Sequence, residues 1–354
     1  MKSKKLIIYS IIAIALGAVV FTVSLGGVGW NIKKLSTTSV RYAVIDSTDT
    51  SVDITAIDKV NLQMDTADVE ITYGAEFSVT YPQLFTLGGK PATKIKTFVN
   101  NGVLSVKSEA VWHRTVGLFN FDDGTVKVVL PRNRNVDLMI EIDTGDVKFI
   151  GDASTKTNYV SVETDTGDVT MQDVIIDTIK IESDTGDIKF AGSKCELTQI
   201  EVDTDDVKFT NCEIGDLKVE TDTGDVKITD CNLQRVEIET DTGDIKITDG
   251  KFQNATLRTD TGDVKLVGEV AIAKASIKTD TGDVGGKSVI LDTGEIKITT
   301  DTGDVRLTLL GKKEDFSFLI NVRTGDTNVS SMIGGDKIFE AHTSTGDVKL
   351  YFSE

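Results

Sequence analysis

The stretch DTGDVKI at residues 222–228 returns 19 residues later as DTGDIKI at residues 241–247. The motif begins at residues 143, 165, 184, 203, 222, 241, 260, 280, 292 and 301, and the five spacings from 165 to 260 are all 19 residues. Weaker copies begin at Arg323 and Ser344, and an isolated copy begins at Asp65. A constant period of about 20 residues is typical of repeat architectures.

One repeat, residues 222–240, contains two strand patterns. Val226 and Ile228 flank Lys227, and the sequence VEIE at residues 236–239 alternates in the same way. This period of two is typical of half-buried strands. A Thr-Gly step and the triplet DCN at residues 230–232 interrupt the alternation. Each repeat is therefore predicted to run strand, corner, strand, corner.

Two architectures fit this unit: an antiparallel meander of hairpins, or a β-solenoid in which each repeat is one coil stacked on the next. A hairpin would oppose Asp222 and Asp225 across a two-residue turn, and opposed like charges are unfavourable. A coil of fixed circumference explains a fixed period. We therefore predict an all-β, single-chain β-solenoid of about 19-residue coils, spaced about 4.8 Å apart and preceded by one N-terminal transmembrane helix.

Stacking in register predicts columns of equivalent side chains. One interior column comprises Val147, Val169, Ile188, Val207, Val226, Ile245 and Val264, and a second comprises Phe149, Met171, Phe190, Phe209, Ile228, Ile247 and Leu266. An outer basic column comprises Lys148, Lys189, Lys208, Lys227, Lys246 and Lys265. Beside it runs the fourth-position aspartate column, Asp146, Asp168, Asp187, Asp206, Asp225, Asp244 and Asp263. Columns of opposite charge reduce each other's self-repulsion, although single exposed pairs stabilise little.

The N-terminus has the features of a membrane anchor. Residues 6–30, from Leu6 to Trp30, contain no charged residue over 25 positions, and a bilayer-spanning helix needs about 20. The predicted organisation is a cytoplasmic tail at 1–5, an uncleaved transmembrane anchor at 6–30, a linker at 31–44, an irregular β segment serving as N-terminal cap at 45–142, and the regular solenoid at 143–354. We expect a single-pass cell-membrane protein with its body outside the cytoplasm.

Charge and cysteine content limit the possible partners. The net charge is −18, and the first 34 residues carry five lysines and no acidic residue, so the remainder carries −23. Such a body repels nucleic acid. The three cysteines show no paired pattern, and with only two histidines a zinc site is not expected. Cys212 and Cys231 would share one column of the solenoid.

The sequence resembles a known family. The succession ADVEI, NGVLSV and VKVVLPRNRNVDLMIEIDTGDVKF, followed by repeated TGDVKI, is similar to the bacterial "putative adhesin" family of β-strand-repeat domains of unknown function, which includes LiaG-like envelope proteins. The resemblance covers about residue 45 to the end. It implies a β-helical extracytoplasmic domain, often on one membrane anchor, and supplies no catalytic residues.

The Asp-Thr-Gly motif is also the signature of aspartic proteases, which use two such loops whose carboxylates share a proton. This chain has nine copies on a repeating rhythm. A structural corner explains all nine without catalysis, so we predict that the chain is not an enzyme. His113 beside Trp112 is interpreted as a packing feature of a loop, and His342 is isolated.

Two aspartate rows along one edge could hold calcium, which takes six to eight oxygen ligands. The candidate ligands are Asp184, Asp187, Asp203, Asp206, Asp222, Asp225, Asp241, Asp244, Asp260 and Asp263. The alternative is a solvated acidic edge whose charge the lysine column balances. No other cofactor is predicted.

The leading functional hypothesis is a membrane-anchored solenoid that binds or organises a component of the cell envelope, either a polymer or a membrane signalling protein. A role accessory to envelope-stress sensing is one form that the family resemblance implies. A purely structural spacer is the first alternative. A carbohydrate-active β-helix enzyme is the second, with its site at the break in the repeat near Asp292 and Glu295.

Overall fold

The computed structural model describes residues 38–49, 52–86, 89, 91, 93–110 and 124–353. The predicted anchor from Leu6 to Trp30 and the pair Trp112 and His113 lie outside these residues. Within the described ranges, no helix has the length and hydropathy to span a bilayer.

The described chain forms 24 strands joined by hydrogen bonds into one continuous sheet, with two short 3-10 helices at Ile54–Ala56 and Lys313–Asp315. The strands are β1 (Thr38–Ile45), β2 (Lys59–Thr66), β3 (Asp68–Gly74), β4 (Ser78–Thr86), β5 (Thr93–Asn100), β6 (Val103–Ala110), β7 (Thr125–Pro131), β8 (Asp137–Thr144), β9 (Val147–Ile150), β10 (Lys156–Thr166), β11 (Val169–Gln172), β12 (Ile175–Thr185), β13 (Ile188–Ala191), β14 (Lys194–Thr204), β15 (Val207–Thr210), β16 (Glu213–Thr223), β17 (Val226–Thr242), β18 (Ile245–Thr261), β19 (Val264–Thr281), β20 (Val284–Thr302), β21 (Val305–Leu310), β22 (Phe316–Thr324), β23 (Lys337–Thr345) and β24 (Val348–Ser353).

Successive repeats pair in parallel and in register. Val207 lies opposite Val226, and Val226 lies opposite Ile245, so each residue faces its equivalent in the next repeat. The longer side of each coil follows the same rule, with Val219 opposite Ile238. A meander would require antiparallel pairing of neighbouring strands. The structure therefore confirms the β-solenoid.

The predicted interior columns form one part of the core, beside inward residues of the longer strands such as Val219 and Ile238. Every member of both columns is at most 2% exposed. Phe190 and Phe209 stack with their ring centroids 4.9 Å apart. Because side chains alternate between the two faces of a strand, the residues between these columns point outward.

The backbone conformation at the second corner of the coil explains why Asp, Asn or Gly recurs there in the sequence. Its equivalent residues all have left-handed backbone angles, with φ between 49° and 75°: Asp173, Gly192, Asn211, Asp230, Asp249 and Gly268. Asp, Asn and Gly are the residue types that adopt this conformation at least cost. The corner therefore carries Asp, Asn or Gly in these six successive coils, whereas Ala153 and Ser288 adopt the same backbone conformation in the flanking coils.

The Thr-Gly-Asp corner depends on a missing side chain. Gly186 has φ of 143°, and a Cβ atom built there would lie 2.1 Å from the carbonyl oxygen of Gly167 in the preceding coil. The other corner glycines meet the neighbouring coil in the same way. One coil departs from this rule, because Asp205 occupies the glycine position with φ of 120°.

At the N-terminal end, chain order and stacking order differ. The coil formed by β2 and β3 lies between β6–β7 and β8–β9. The hairpin β5–β6 turns at Asn101-Gly102, where both φ angles are positive, as a type I′ turn requires. β4 pairs antiparallel with β7, and β1 pairs antiparallel with β4.

β1 covers much of the segment 31–44 that was predicted to be a linker, and this prediction is corrected because β1 forms an eight-residue ladder.

The C-terminal end shows a related exchange. β23 pairs with β20 on one side and with β22 on the other, so the last repeat lies inside the one before it. Contacts of the corner glycines show the same stacking order of the coils. A Cβ at Gly346 would meet the carbonyl of Gly303, and a Cβ at Gly325 would meet that of Gly346. Met332 then pairs antiparallel with Phe318 and covers part of the outer edge of β22. Covering an edge in this way limits edge-to-edge association.

Replacement of Asp205 by Gly should stabilise the protein. A non-glycine residue in this region of φ and ψ destabilises the folded state by about 1–3 kcal/mol. Gly loses more conformational entropy on folding, and this offsets about 0.5–1 kcal/mol of the gain from relieving the strain. We expect Asp205→Gly to raise the free energy of unfolding by about 1 kcal/mol and to raise Tm in a thermal scan. Gly186→Ala should lower Tm, because its Cβ meets a carbonyl. An unchanged or lower Tm for Asp205→Gly would contradict the strain argument.

Candidate binding faces

The fourth-position aspartates form a hydrogen-bonded ladder along the solenoid. Each carboxylate accepts a hydrogen bond from the backbone N–H of the equivalent aspartate in the next coil, at nitrogen–oxygen distances of 2.6–3.4 Å. The accepting residues are Asp68, Asp146, Asp168, Asp187, Asp206, Asp225, Asp244, Asp263, Asp283, Asp304 and Asp347. The carboxylate at this position is thus a structural acceptor that links neighbouring coils.

Alternate lysines of the basic column bridge pairs of these aspartates. Lys189 Nζ lies 2.9 Å from a carboxylate oxygen of both Asp168 and Asp187. Lys227 makes the same bridge to Asp206 and Asp225 at 2.7 and 3.1 Å. Lys265 does so for Asp244 and Asp263 at 2.7 and 3.0 Å. The remaining lysines of this column, Lys148, Lys208 and Lys246, are exposed.

These contacts favour the ionised carboxylate. Burial opposes ionisation of Asp244, but the hydrogen bonds from Lys265 and from the N–H of Asp263 outweigh it and lower its pKa. Burial likewise opposes ionisation of Asp206, but the hydrogen bonds from Lys227 and from the N–H of Asp225 outweigh it and lower its pKa. Hydrogen bonds from both neighbouring carboxylates raise the pKa of Lys189 to about 12.

The first-position aspartates have different surroundings. Those at 165, 184, 203, 222 and 241 are exposed at the rim of the corner. Desolvation is the main cause that raises the pKa of Asp143, and the neighbouring carboxylates of Asp165 and Asp65 add to it. Further along, Arg258 and Lys278 pair with Asp260 and Asp280 at 3.0 and 2.8 Å.

The calcium candidates therefore divide into two groups. Asp187, Asp206, Asp225, Asp244 and Asp263 are ladder acceptors, whereas Asp184, Asp203, Asp222, Asp241 and Asp260 are the first-position residues of the same coils. Across the described ranges, no three or more His, Cys, Asp or Glu side chains gather in an arrangement that could hold a metal ion. Calcium binding remains a prediction, and the first-position row is where the carboxylates are most exposed.

A buried threonine before six of the ten copies of the motif is a structural residue that sequence reasoning missed. Thr259 and Thr279 are fully buried, and each hydroxyl donates a 3.0 Å hydrogen bond to a corner carbonyl of the preceding coil, that of Gly243 or Gly262. The sequence carried a signal for this role, because the pentapeptide TDTGD, with a threonine before the motif, recurs along the chain. Most buried hydroxyls have such an acceptor, whereas the hydroxyls of Thr164 and Thr221 at the equivalent position have no partner among the described residues.

The break in the repeat is a local insertion. Ala273 of β19 lies between residues paired with Leu291 and Glu295 of β20, so residues 292–294 form a bulge opposite one residue. Glu295 lies 3.6 Å from Lys274 in an ion pair. This Asp-Thr-Gly copy stands outside the corner column, because the glycines in contact there are Gly282 and Gly303.

Cys212 and Cys231 share a column, as predicted. The N–H of Cys212 donates to Cys231 Sγ at 3.3 Å, and both thiols donate to carbonyl groups two residues earlier. The contact with the Cys212 thiol and burial raise the pKa of Cys231. All three cysteines are free and buried.

The longer side of the coils presents a flat polar face, which we call the long face. Its outward residues include one glutamate column that continues through six coils, Glu141, Glu163, Glu182, Glu201, Glu220 and Glu239. Lys180 and Lys218 pair with the glutamates two residues on. Between these lysines lies a shallow depression of about 140 Å³ over Gln199.

A larger groove of about 610 Å³ lies beyond the second corner. Its lining alternates in charge, with Lys156 paired to Asp177 and Lys194 paired to Glu213 at 2.9 Å. The lining also contains Glu196 and Asp216, so its four acidic residues outnumber its two lysines. The long face is the surface with the more regular charge pattern.

Loss of a ladder carboxylate should cost more than loss of a first-position carboxylate. Asp244→Ala removes the acceptor for the N–H of Asp263 and one partner of Lys265. We expect a loss of about 1 kcal/mol, which allows for the partial exposure of the group. The matched control Asp241→Ala, in the same corner, should change stability by less than about 0.5 kcal/mol. Equal losses in chemical denaturation would contradict the structural role of the ladder.

The ladder also predicts acid sensitivity. A carboxyl group whose pKa is lower in the folded than in the unfolded state stabilises the fold above its unfolded pKa, and this contribution is lost as pH falls through the folded pKa. Asp206, Asp244 and Asp347 belong to this class. Tm should therefore fall as the pH is lowered below about 4, the ordinary pKa of an aspartate in the unfolded chain. The fall should be smaller in Asp244→Ala, and an identical pH profile would count against the assignment.

Comparisons with known proteins give low identities over nearly the whole chain. No curated protein matches. A "putative cell adhesion protein" from Clostridium sporogenes is 9% identical, with 89% of this chain and 100% of that chain covered and a TM-score of 0.22. A "putative lipid binding protein" from Parabacteroides distasonis is 12% identical, with 88% and 96% covered and a TM-score of 0.31. A "putative adhesin" from Bacteroides fragilis is 12% identical, with 88% and 97% covered and a TM-score of 0.23.

A family model covers the chain more directly. It matches residues 57–228 and again residues 199–351, and these two overlapping matches include all of the solenoid from β2 to near the end of β24. The model describes the Toastrack fold of a domain of unknown function, in agreement with the β-strand-repeat family that the motifs resemble. The chain belongs to the Toastrack DUF4097 family.

Proposed function

We propose that this protein is a membrane-anchored, extracytoplasmic β-solenoid that binds or organises a component of the cell envelope without catalysis. The observation that carries the proposal is the long face, where one outward glutamate column continues through six coils without a break in register. Solenoids present extended surfaces of this kind to their partners.

The chemistry of the long face favours a cationic partner. Its glutamates repeat at one coil spacing, and the net charge of the chain is −18. A partner with amino or guanidinium groups at a similar spacing, on a polymer or on a membrane signalling protein, would complement it. The ladder aspartates are already occupied by backbone N–H groups and lysines, so they contribute less to such a surface.

Support for the anchor comes from the sequence before β1. The uncharged stretch from Leu6 to Trp30 has the length of a bilayer-spanning helix, and the described chain begins eight residues later. We place the body outside the cytoplasm on the family resemblance and on its acidic charge. Accessory participation in envelope-stress sensing is the finer form of this proposal.

Two other functions remain as alternatives. A structural spacer would need the rod but no particular surface. A carbohydrate-active enzyme would need a site such as the bulge near Asp292 and Glu295, and Glu295→Gln together with Asp292→Asn would abolish any glycan cleavage found there.

The proposal is tested by co-sedimentation of residues 35–354 with isolated envelope fractions, in calcium and in chelator. We expect saturable binding. A triple variant that changes Glu182, Glu201 and Glu220 to Gln should weaken it, because it removes three negative charges from the long face. The matched control changes Asp184, Asp203 and Asp222 to Asn in the same coils. Loss of binding only in this control, together with loss in chelator, would assign binding to calcium at the first-position row.

Deletion of whole coils separates a binding face from a spacer. Removing residues 203–240 takes out two 19-residue repeats and keeps the register. A binding face predicts a graded loss of affinity, since part of the glutamate column goes with the deleted coils. Unchanged binding and unchanged cellular function would support the spacer and contradict the proposal.

A further inference from the structure

The N-terminal end of the solenoid terminates in two edge strands. Among the described residues, β5 pairs only with β6, and β1 pairs only with β4, which itself lies outside the last parallel coil. β1 and β5 are therefore the outermost strands at this end. We call the surface that they form the N-terminal end face.

The N-terminal end face exposes large apolar side chains. Tyr42 and Val44 of β1 are 53% and 49% exposed, and Phe98 and Val99 of β5 are 56% and 38% exposed. Ten large hydrophobic side chains are exposed in the described part of the chain, and these four come from only two strands. Four others, including Leu319, lie in the last two layers at the opposite end, which provides an internal comparison.

The charge of this face differs from that of the body. β1 reads TSVRYAVI and β5 reads TKIKTFVN, so together they carry three basic residues and no acidic residue. The rest of the chain carries a net charge of −21, three below the total of −18. Arg41 lies over the Phe85 ring, with its guanidinium carbon 4.4 Å from the ring centroid. Apolar side chains beside basic ones are the composition of surfaces that bind anionic lipid.

The chain length brings this face close to the predicted anchor. The uncharged stretch ends at Trp30 and β1 begins at Thr38, so seven residues separate them. Seven residues span at most about 25 Å when fully extended. The C-terminal end of the solenoid is not joined to the uncharged stretch by a short segment of chain.

We propose that the N-terminal end face rests on the membrane surface, with Tyr42, Val44, Phe98 and Val99 among the lipid headgroups and with Arg41 and Lys96 facing anionic lipid phosphates. This inference rests on the proposed anchor and extends it, because the solenoid then stands on its N-terminal end instead of hanging from a free linker. Like charges on the two copies disfavour end-to-end pairing of this face with a second molecule.

The test uses the full chain reconstituted in vesicles of phosphatidylcholine with phosphatidylglycerol. Phe98→Cys and, as matched control, Leu319→Cys are labelled with a bimane fluorophore; the two side chains are 56% and 57% exposed at opposite ends. The native cysteines are buried, and the unmutated protein treated with the same reagent serves as blank. Circular dichroism confirms the β fold of both variants.

Nitroxide-labelled lipid should quench the label at position 98 and leave the label at position 319 unquenched. Quenching at 98 should decrease when phosphatidylglycerol is replaced by phosphatidylcholine, because the electrostatic attraction is lost. Vesicle-bound protein without quenching at 98, or with equal quenching at both positions, would overturn the proposal and leave the anchor intact.

Two other outcomes are distinguishable. A label at 98 that is protected from both lipid nitroxide and aqueous iodide would show that a second copy covers the face, and would also overturn the proposal. Protein that does not float with the vesicles would contradict the membrane anchor of the proposed function. The proposed contact of the N-terminal end face with lipid would then be contradicted as well.

Discussion

The close approach of backbones at the Thr-Gly-Asp corner is the constraint on which the rest of this structure depends. At each corner glycine, the carbonyl oxygen of the neighbouring coil lies where a Cβ atom would stand. Only glycine fits without strain, and its position fixes the register of both flanking strands. A slip of one residue would turn every interior side chain outward. The corner therefore determines the core, although it contributes no side chain to it.

The same corner resolves an electrostatic difficulty. In-register stacking places equal charges in columns one coil apart, which is unfavourable for aspartates. The fourth-position carboxylates overcome this repulsion because each accepts a backbone N–H from the next coil, and every second lysine bridges a pair. The first-position aspartates and the outward glutamates lack these backbone partners. Some of them pair with Lys or Arg side chains instead, as Glu182 and Glu220 do. The carboxylates of the corner rim and the long face are therefore bound only by side chains, whereas the ladder carboxylates are bound by the backbone and serve the fold.

The two ends of the solenoid are built by the same device and have different surroundings. At each end the chain places its outermost parallel coil out of sequence order and then covers it, with antiparallel strands at the N-terminal end and with residues 326–335 at the C-terminal end. At the C-terminal end this cover limits extension of the sheet into a second molecule, whereas the N-terminal end still terminates in the edge strands β1 and β5. The N-terminal end also carries the basic and apolar strands nearest to the predicted anchor, which links the position of the cap to the function proposed for the rod.

The repeat in the sequence determined the fold class, the length of a coil and the interior columns, because stacking in register transmits one local pattern to every layer. It also placed Cys212 beside Cys231 and the aspartates beside the lysines. The tertiary structure alone decided the stacking order at both ends, since parallel pairing of β22 with β23 and of β2 with β6 depends on which free edge a strand meets after folding. It alone decided which carboxylates are occupied: Asp241 and Asp244 have the same side chain in the same corner, and only the path of the neighbouring backbone gives Asp244 an N–H to bind. The strain at Asp205 also belongs to the tertiary structure, because it arises from the left-handed backbone that the neighbouring coils impose on that corner.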